Sequence, residues 1–210
     1  MKKVLGFAVM LLVCFVGCKE QRTAGSGGMV LAIDTVMPEP VKPGTEVSTA
    51  SVIQPAQLII PGKSIGKTAI NADMENILKV FGPPDHGDAA MGKSWSTWVS
   101  KPATGETPYE TNIYASRNMG VGNEASLVKQ IRVTSPYFKT ATGIQTGSLL
   151  ELVSKQFPGI RIVSGAANTG KGSTLYDDVA NGIAFEINKD AHCAAIIVHE
   201  PAVTVTYIPL

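Results

Sequence analysis

Between Lys3 and Gly17 the chain runs through Val4 to Val16 without a charge, and this opening decides how much of the 210-residue sequence is available to fold. Met1-Lys2-Lys3 supplies a short positive end ahead of it, so the order is that of a secretory signal: charge, apolar stretch, small residue. The stretch is too short to cross a bilayer, because a hydrocarbon core of about 30 Å needs about 20 apolar residues in a helix. Gly17-Cys18 and then Lys19-Glu20 end it. It is therefore expected to be removed, and the fold has to be built from the residues after it.

The segment Phe15-Val16-Gly17-Cys18 resembles the lipobox of bacterial lipoproteins, with Phe15 where Leu is usual. The resemblance implies that Cys18 is acylated, with palmitate-type chains, and becomes the new N-terminus. It also implies an address. Lipoproteins with Asp after the Cys tend to stay in the inner membrane of Gram-negative bacteria, and Lys19 is not Asp, so the outer membrane is favoured, with the protein facing the periplasm. Each buried methylene contributes about 0.8 kcal/mol, so two or three acyl chains hold a protein firmly where one holds it marginally. An ordinary secretory signal cut nearby is the alternative.

The formal net charge of +1 falls to −1 once Lys2 and Lys3 are lost, which leaves no basic surplus for nucleic acid. Of the three cysteines, Cys14 lies in the signal and Cys18 would be thioether-linked, so Cys193 has no disulfide partner within the chain. Cys193 lies in an apolar run, Ala191 to Val198, and reads as a buried thiol acting as a small hydrophobe.

From Lys19 to about Gln57 the chain is rich in Gly, Ser, Thr and Pro, with Gly25-Ser26-Gly27-Gly28 and Pro38, Pro40, Pro43 and Pro55. Such composition cannot bury enough apolar area to offset the entropy of ordering it. It reads as a tether of some forty residues, holding the folded part roughly 30 to 40 Å from the anchor. An edge strand over Val30 to Val36 is the alternative. The organisation expected is thus 1–17 signal, 18–57 lipidated Cys and tether, 58–136 first unit and 137–210 second unit.

In the first unit, Asn71-Ala72-Asp73 offers capping groups ahead of Met74, Ile77, Leu78 and Phe81, whose spacing predicts a short helix stopped by Gly82-Pro83-Pro84. Strands are predicted over 94–99, 111–116 and 127–134. In the second, Gly147-Ser148 opens a helix through Leu149, Leu152, Val153 and Phe157 that Pro158-Gly159 ends. Strands are predicted over 160–164, 173–176, 183–187, 193–199 and 203–208. The order helix then strands recurs, and Val128 to Pro136 matches Cys193 to Pro201 in the placing of Ile, Val and Pro. This predicts duplication of one α+β unit.

On the helix with its ending, Ile77-Leu78-Lys79-Val80-Phe81-Gly82-Pro83-Pro84-Asp85, and on the later strand Val128 to Thr134, the chain resembles a tandem-repeat α+β family. That family includes the outer-membrane lipoproteins of the β-barrel assembly machinery and the secreted β-lactamase inhibitor proteins. The resemblance covers roughly Ile60 to Pro201 and implies two repeats, each a short helical segment packed on an antiparallel sheet of about four strands. It departs from the family at Ala72-Asp73-Met74, where Gly-Met-Ser or Gly-Met-Thr is usual, and at Gly147-Ser148, which lacks the Met.

Motifs for chemistry are incomplete. Gly62-Lys63-Ser64-Ile65-Gly66-Lys67-Thr68 is one residue short of a phosphate loop, and Gly165 to Gly172 ends in Gly where the magnesium-binding hydroxyl is needed. His192 and His199 stand seven apart on a strand, on opposite faces, so they cannot chelate one metal. Asp85-His86-Gly87-Asp88 and Asp177-Asp178 read as turns. No catalytic residue, cofactor or metal is expected. Trp95 and Trp98, an odd number apart on one strand, point to opposite faces. Together with Tyr109 and Tyr114 on the next strand they are the candidate partner-binding residues. The function expected is a lipid-anchored, non-enzymatic binding module for a protein or cell-wall component. The rivals are a periplasmic enzyme whose site is assembled from distant residues and a protein inhibitor of another enzyme.

Overall fold

The helix predicted over Met74–Phe81 (α1) is present in the computed structural model, which describes residues 52–117, 119–120, 125–163 and 172–206. Its N-cap is Asp73, whose Oδ1 accepts from the Glu75 N–H at 2.9 Å. Its end is Gly82, at a positive φ of 76°, where the N–H donates to the Leu78 carbonyl. Met74 and Ile77 point inward and are buried, while Leu78 and Phe81 are half-exposed. The second helix (α2), Leu150–Gln156, buries only Val153, and the predicted face is corrected: Leu149 and Leu152 lie toward solvent.

Among the described residues twelve strands accompany these helices. β1 (Leu58–Ile60), β2 (Ser64–Ile65), β3 (Thr68–Ala69) and β8 (Lys139–Thr140) form a four-stranded sheet in the order β3-β2-β1-β8, with β1 and β8 parallel. β4 (His86–Ala90), β5 (Lys93–Val99), β6 (Glu110–Ser116), β7 (Leu127–Val133), β9 (Arg161–Ile162), β10 (Thr174–Asp178), β11 (Ile183–Ile187) and β12 (Cys193–His199) form an eight-stranded antiparallel sheet. Its order is β4-β5-β6-β7-β12-β11-β10-β9.

This corrects the expected fold class. The protein is mostly β, with one continuous eight-stranded sheet and a second, smaller one, and not two helix-on-four-strand repeats. The join is β7 against β12, with Val133 opposite Ile196 and Ile131 opposite Val198. Left as edges of separate four-stranded sheets, these strands would expose Ile131, Val133, Ile196 and Val198, each now 1% exposed or less. The segments whose likeness suggested duplication are hydrogen-bonded neighbours in the middle of one sheet. Most residues of both strands are buried.

One face of the large sheet carries the core. Ile113, Ile131, Phe185 and Ile196 from its strands meet Met74 and Ile77 of α1, Val153 of α2, and Ile59 and Ile65 of the small sheet. Phe185 is fully buried and packs against Phe157, ring centroids 5.1 Å apart. Three readings of turns and strands change. Asp85-His86-Gly87-Asp88 leads into and forms part of edge strand β4. Asp177-Asp178 closes strand β10 and is buried. The strand predicted over 203–208 is an irregular strap in its described part, Val203 to Thr206. Cys18, the signal, the Val30 to Val36 segment and the tether as far as residue 51 lie outside the described residues, as does most of the Gly165 to Gly172 loop; the last part expected of the tether is described and forms a single 3-10 turn, Pro55–Gln57.

Candidate functional site

The opposite face of the large sheet, its back face, is where the polar chemistry collects. Side chains alternate along a strand, so Arg132 and Gln130 on β7 turn away from the core that Ile131 and Val133 enter. Arg132 is 6% exposed and binds Glu186 on β11 with two parallel bonds, Nε to Oε1 at 2.7 Å and Nη2 to Oε2 at 2.8 Å. Its Nη1 donates to Asn112 Oδ1 at 2.7 Å and to Glu110 Oε2 at 3.3 Å. Asn112 in turn donates to Thr97 Oγ1 at 2.8 Å. Burial opposes the charge on Arg132, but the bonds and charge of Glu186, then of Glu110, outweigh it and hold the guanidinium proton more firmly than water does.

A second group lies beside it. His199 on β12 and Asp177 on β10, 2% and 3% exposed, meet through Nε2 and Oδ1 at 2.9 Å. The His199 Nδ1 faces the Glu200 carbonyl at 2.9 Å, an atom that only accepts, so that nitrogen carries hydrogen. The strap crosses above them. The Val205 N–H donates to Asp177 Oδ2 at 3.0 Å and the Thr206 N–H to Gln130 Oε1 at 2.9 Å. Val205 closes a small apolar cluster with Leu175, Ala184 and Ile197. Both ring nitrogens of His199 and both oxygens of Asp177 are thus engaged within the protein. Among the described residues no buried side-chain nitrogen or oxygen lacks a partner. The arrangement fixes strand register and strap position; it presents neither a free base nor an open acid.

The four candidate aromatic residues do not form one surface. Trp98 is on the core face, edge-on to Phe81 at 5.4 Å between centroids, and its Nε1 donates to the Gly82 carbonyl at 3.2 Å, where it pins the end of α1. Trp95 is on the back face and stands directly across from Tyr114 on β6, both half-buried. Tyr109 precedes β6, 41% exposed, with its N–H held by Ser100 Oγ at 2.7 Å. Trp95 and Tyr114 are brought together; Trp98 and Tyr109 stand apart from them.

The remaining chemical candidates are either engaged or isolated. The Cys193 thiol is 2% exposed and donates to the Ala195 carbonyl at 3.3 Å. Burial, and next the charge of Glu186, push its pKa up to about 12, so it is no nucleophile. His192 is exposed, its Nδ1 2.8 Å from the Asp190 carbonyl. Among the described residues no three His, Cys, Asp or Glu side chains cluster as a metal site would require. An open concavity of about 570 Å³ lies between the start of α1 and the β4–β5 turn, with Asp73, Glu75, Lys93 and Arg117 in its lining.

Sequence reasoning missed the buried ionic row, because alternation of Gln130 and Arg132 with Ile131 and Val133 reads as a solvent face. The strand order that brings Glu186 and Asp177 across from Arg132 and His199 has no signal along the chain. It also missed β4. This strand forms one edge of the large sheet and all five of its residues are exposed. Next to it, on β5, stands Trp95, paired in register with Asp88.

No family model and no curated protein matches the chain. It is similar to a solved structure, that of the uncharacterized protein yfeY from Escherichia coli, over 67% of this chain and 99% of that one. The identity is 13% and the TM-score 0.35, a level of likeness from which neither fold nor function is carried over.

Proposed function

We propose that the chain is a lipid-anchored envelope protein that binds a protein partner along the β4–β5 end of its large sheet. The observation that carries the binding reading is the open edge: a five-residue strand exposed throughout, beside the paired Trp95 and Tyr114. Extended edges of this kind take partners by strand addition, and neighbouring aromatic residues add contact area at low entropic cost. The non-enzymatic part of the reading is supported by the back face, where Arg132, Glu186, His199 and Asp177 bind one another. The anchor is supported by Phe15-Val16-Gly17-Cys18, and the Lys19 after it favours the outer membrane.

Two measurements test this. Cys18→Ser is expected to move the protein from the membrane to the soluble envelope fraction; a variant that still sediments with membranes overturns the anchor. A photoreactive residue at position 95, used in living cells, is expected to capture a discrete protein that the same probe at position 98 does not. Equal capture from both positions, or capture from neither, overturns the binding surface.

A further inference from the structure

The two edges of the large sheet differ: β9 is two residues long, β4 is five and exposed at each. The β4–β5 hairpin turns through Met91-Gly92, both at positive φ, 51° and 74°. That two-residue geometry makes Ala90 and Lys93 a hydrogen-bonded pair, and by alternation Asp88–Trp95 and His86–Thr97 as well. The backbone groups of Gly87 and Ala89 then point away from the sheet. The Ala89 N–H is satisfied locally, by Asp88 Oδ1 at 2.8 Å. His86 and Asp88, two apart, share the back face with Trp95.

We propose that β4 pairs antiparallel with β4 of a second copy about a two-fold axis through Gly87, joining two large sheets edge to edge. In this register Gly87 faces Gly87 and the two exchange backbone hydrogen bonds. His86 of each copy then stands directly across from Asp88 of the other. The neighbouring same-face registers are worse: an axis at Asp88 opposes two carboxylates, one at His86 opposes two imidazoles and sets Asp88 against Pro84, and one at Ala89 runs His86 past the end of the facing strand. As Asp88 turns to His86, the Ala89 N–H it held is released to the facing strand. Gly87 has no side chain to obstruct the axis, and a Cβ there would lie 2.8 Å from the Trp95 carbonyl. Exposed Val80 and Phe81, at the end of α1 just before β4, give the pairing an apolar flank.

Five residues a side bury less than the roughly 1,200 Å² of a stable interface. The pairing therefore depends on both copies being held at one surface, and in this it rests on the anchored reading above. The test uses two differently tagged full-length copies in cell membranes, one with His86→Cys and the other with Asp88→Cys, under mild oxidation. In this register His86 and Asp88 form a non-hydrogen-bonded pair, whose Cα atoms lie about 4.5 Å apart, within the roughly 4.4 to 6.8 Å that a disulfide spans. A mixed disulfide dimer is expected, well above that from Ala90→Cys in both copies. Adding Asp88→Lys to the first copy is expected to abolish most of it, and adding His86→Glu to the second to restore it. Trapping no stronger than at Ala90, or indifferent to Asp88→Lys, overturns the pairing. If the copies fractionate with the membrane and still fail to crosslink, the pairing fails and the anchor stands; release of neither on Cys18→Ser marks failure of the anchor instead.

Discussion

The two faces of the large sheet are held by different physics. On one, Phe185, Ile131 and Ile196 bury apolar surface against both helices and the small sheet, a non-directional gain that tolerates changes of shape. On the other, Arg132, Glu186 and Asn112 are buried too but depend on distances of 2.7 to 2.8 Å and on every partner being present. A buried ion pair adds little net stability over an apolar pair of the same volume, while a broken one is costly. The core face therefore contributes most of the stabilisation.

The sharpest way to break that comparison is to remove one member from each side. Arg132→Ala should cost about 3 to 5 kcal/mol, because Glu186 is left buried without its cation. Phe185→Ala should cost a similar 3 to 5 kcal/mol through the cavity it leaves. Urea unfolding measures both. The two should then separate on repair: Arg132→Met with Glu186→Leu is expected to recover most of the loss. A double variant as unstable as Arg132→Ala would show the ionic row to be a net stabiliser.

Smaller effects come from the strap and the margins. Asp177→Ala removes the partner of His199 Nε2 and the acceptor of the Val205 N–H and should cost about 1 to 3 kcal/mol, with faster hydrogen exchange at Val205. Cys193 should resist thiol reagents at pH 8 to 9 in the native protein, since its neutral form is favoured up to about 12. Its contribution is complete below the ordinary thiol pKa of about 8.5 and is lost as pH rises through the folded value. Alkylation of Cys193 should thus track unfolding. The smallest effect is at Glu200, whose pKa is lowered by the Lys129 Nζ hydrogen bond at 2.9 Å. The pair is worth less than about 1 kcal/mol at the surface. Its stabilisation is present above the ordinary Glu pKa of about 4.3 and is lost as pH falls through the depressed value. The difference in urea midpoint between wild type and Lys129→Met should accordingly shrink on acidification.

What could be seen in the sequence is what is encoded locally. Asp73, the spacing from Met74 to Phe81, and Gly82 specify α1 locally, and strand-like runs, continuously apolar in β12, specify β5, β6, β7, β11 and β12 to within a residue or two. Strands of two or three residues, β1, β2, β3 and β8, are too short to carry a period, so the small sheet had no signal. β4 is exposed on both sides and does not alternate at all. The pairing of β7 with β12 joins residues more than sixty apart, and no pattern along either strand names its neighbour. The same gap hid the candidate site: Trp95 and Tyr114 were visible as types, but only the strand order sets them side by side next to an open edge.

Among the described strands β12 comes last along the chain, and it is one of the two at the centre of the large sheet, between β7 and β11. Until residue 199 is available, β4 to β7 and β9 to β11 are two flaps with no hinge between them, each with an apolar rim. A nascent chain with this topology keeps the large sheet open until β12 has emerged. The waiting half-sheets are then the stage at which a holding factor or a protease has its opportunity.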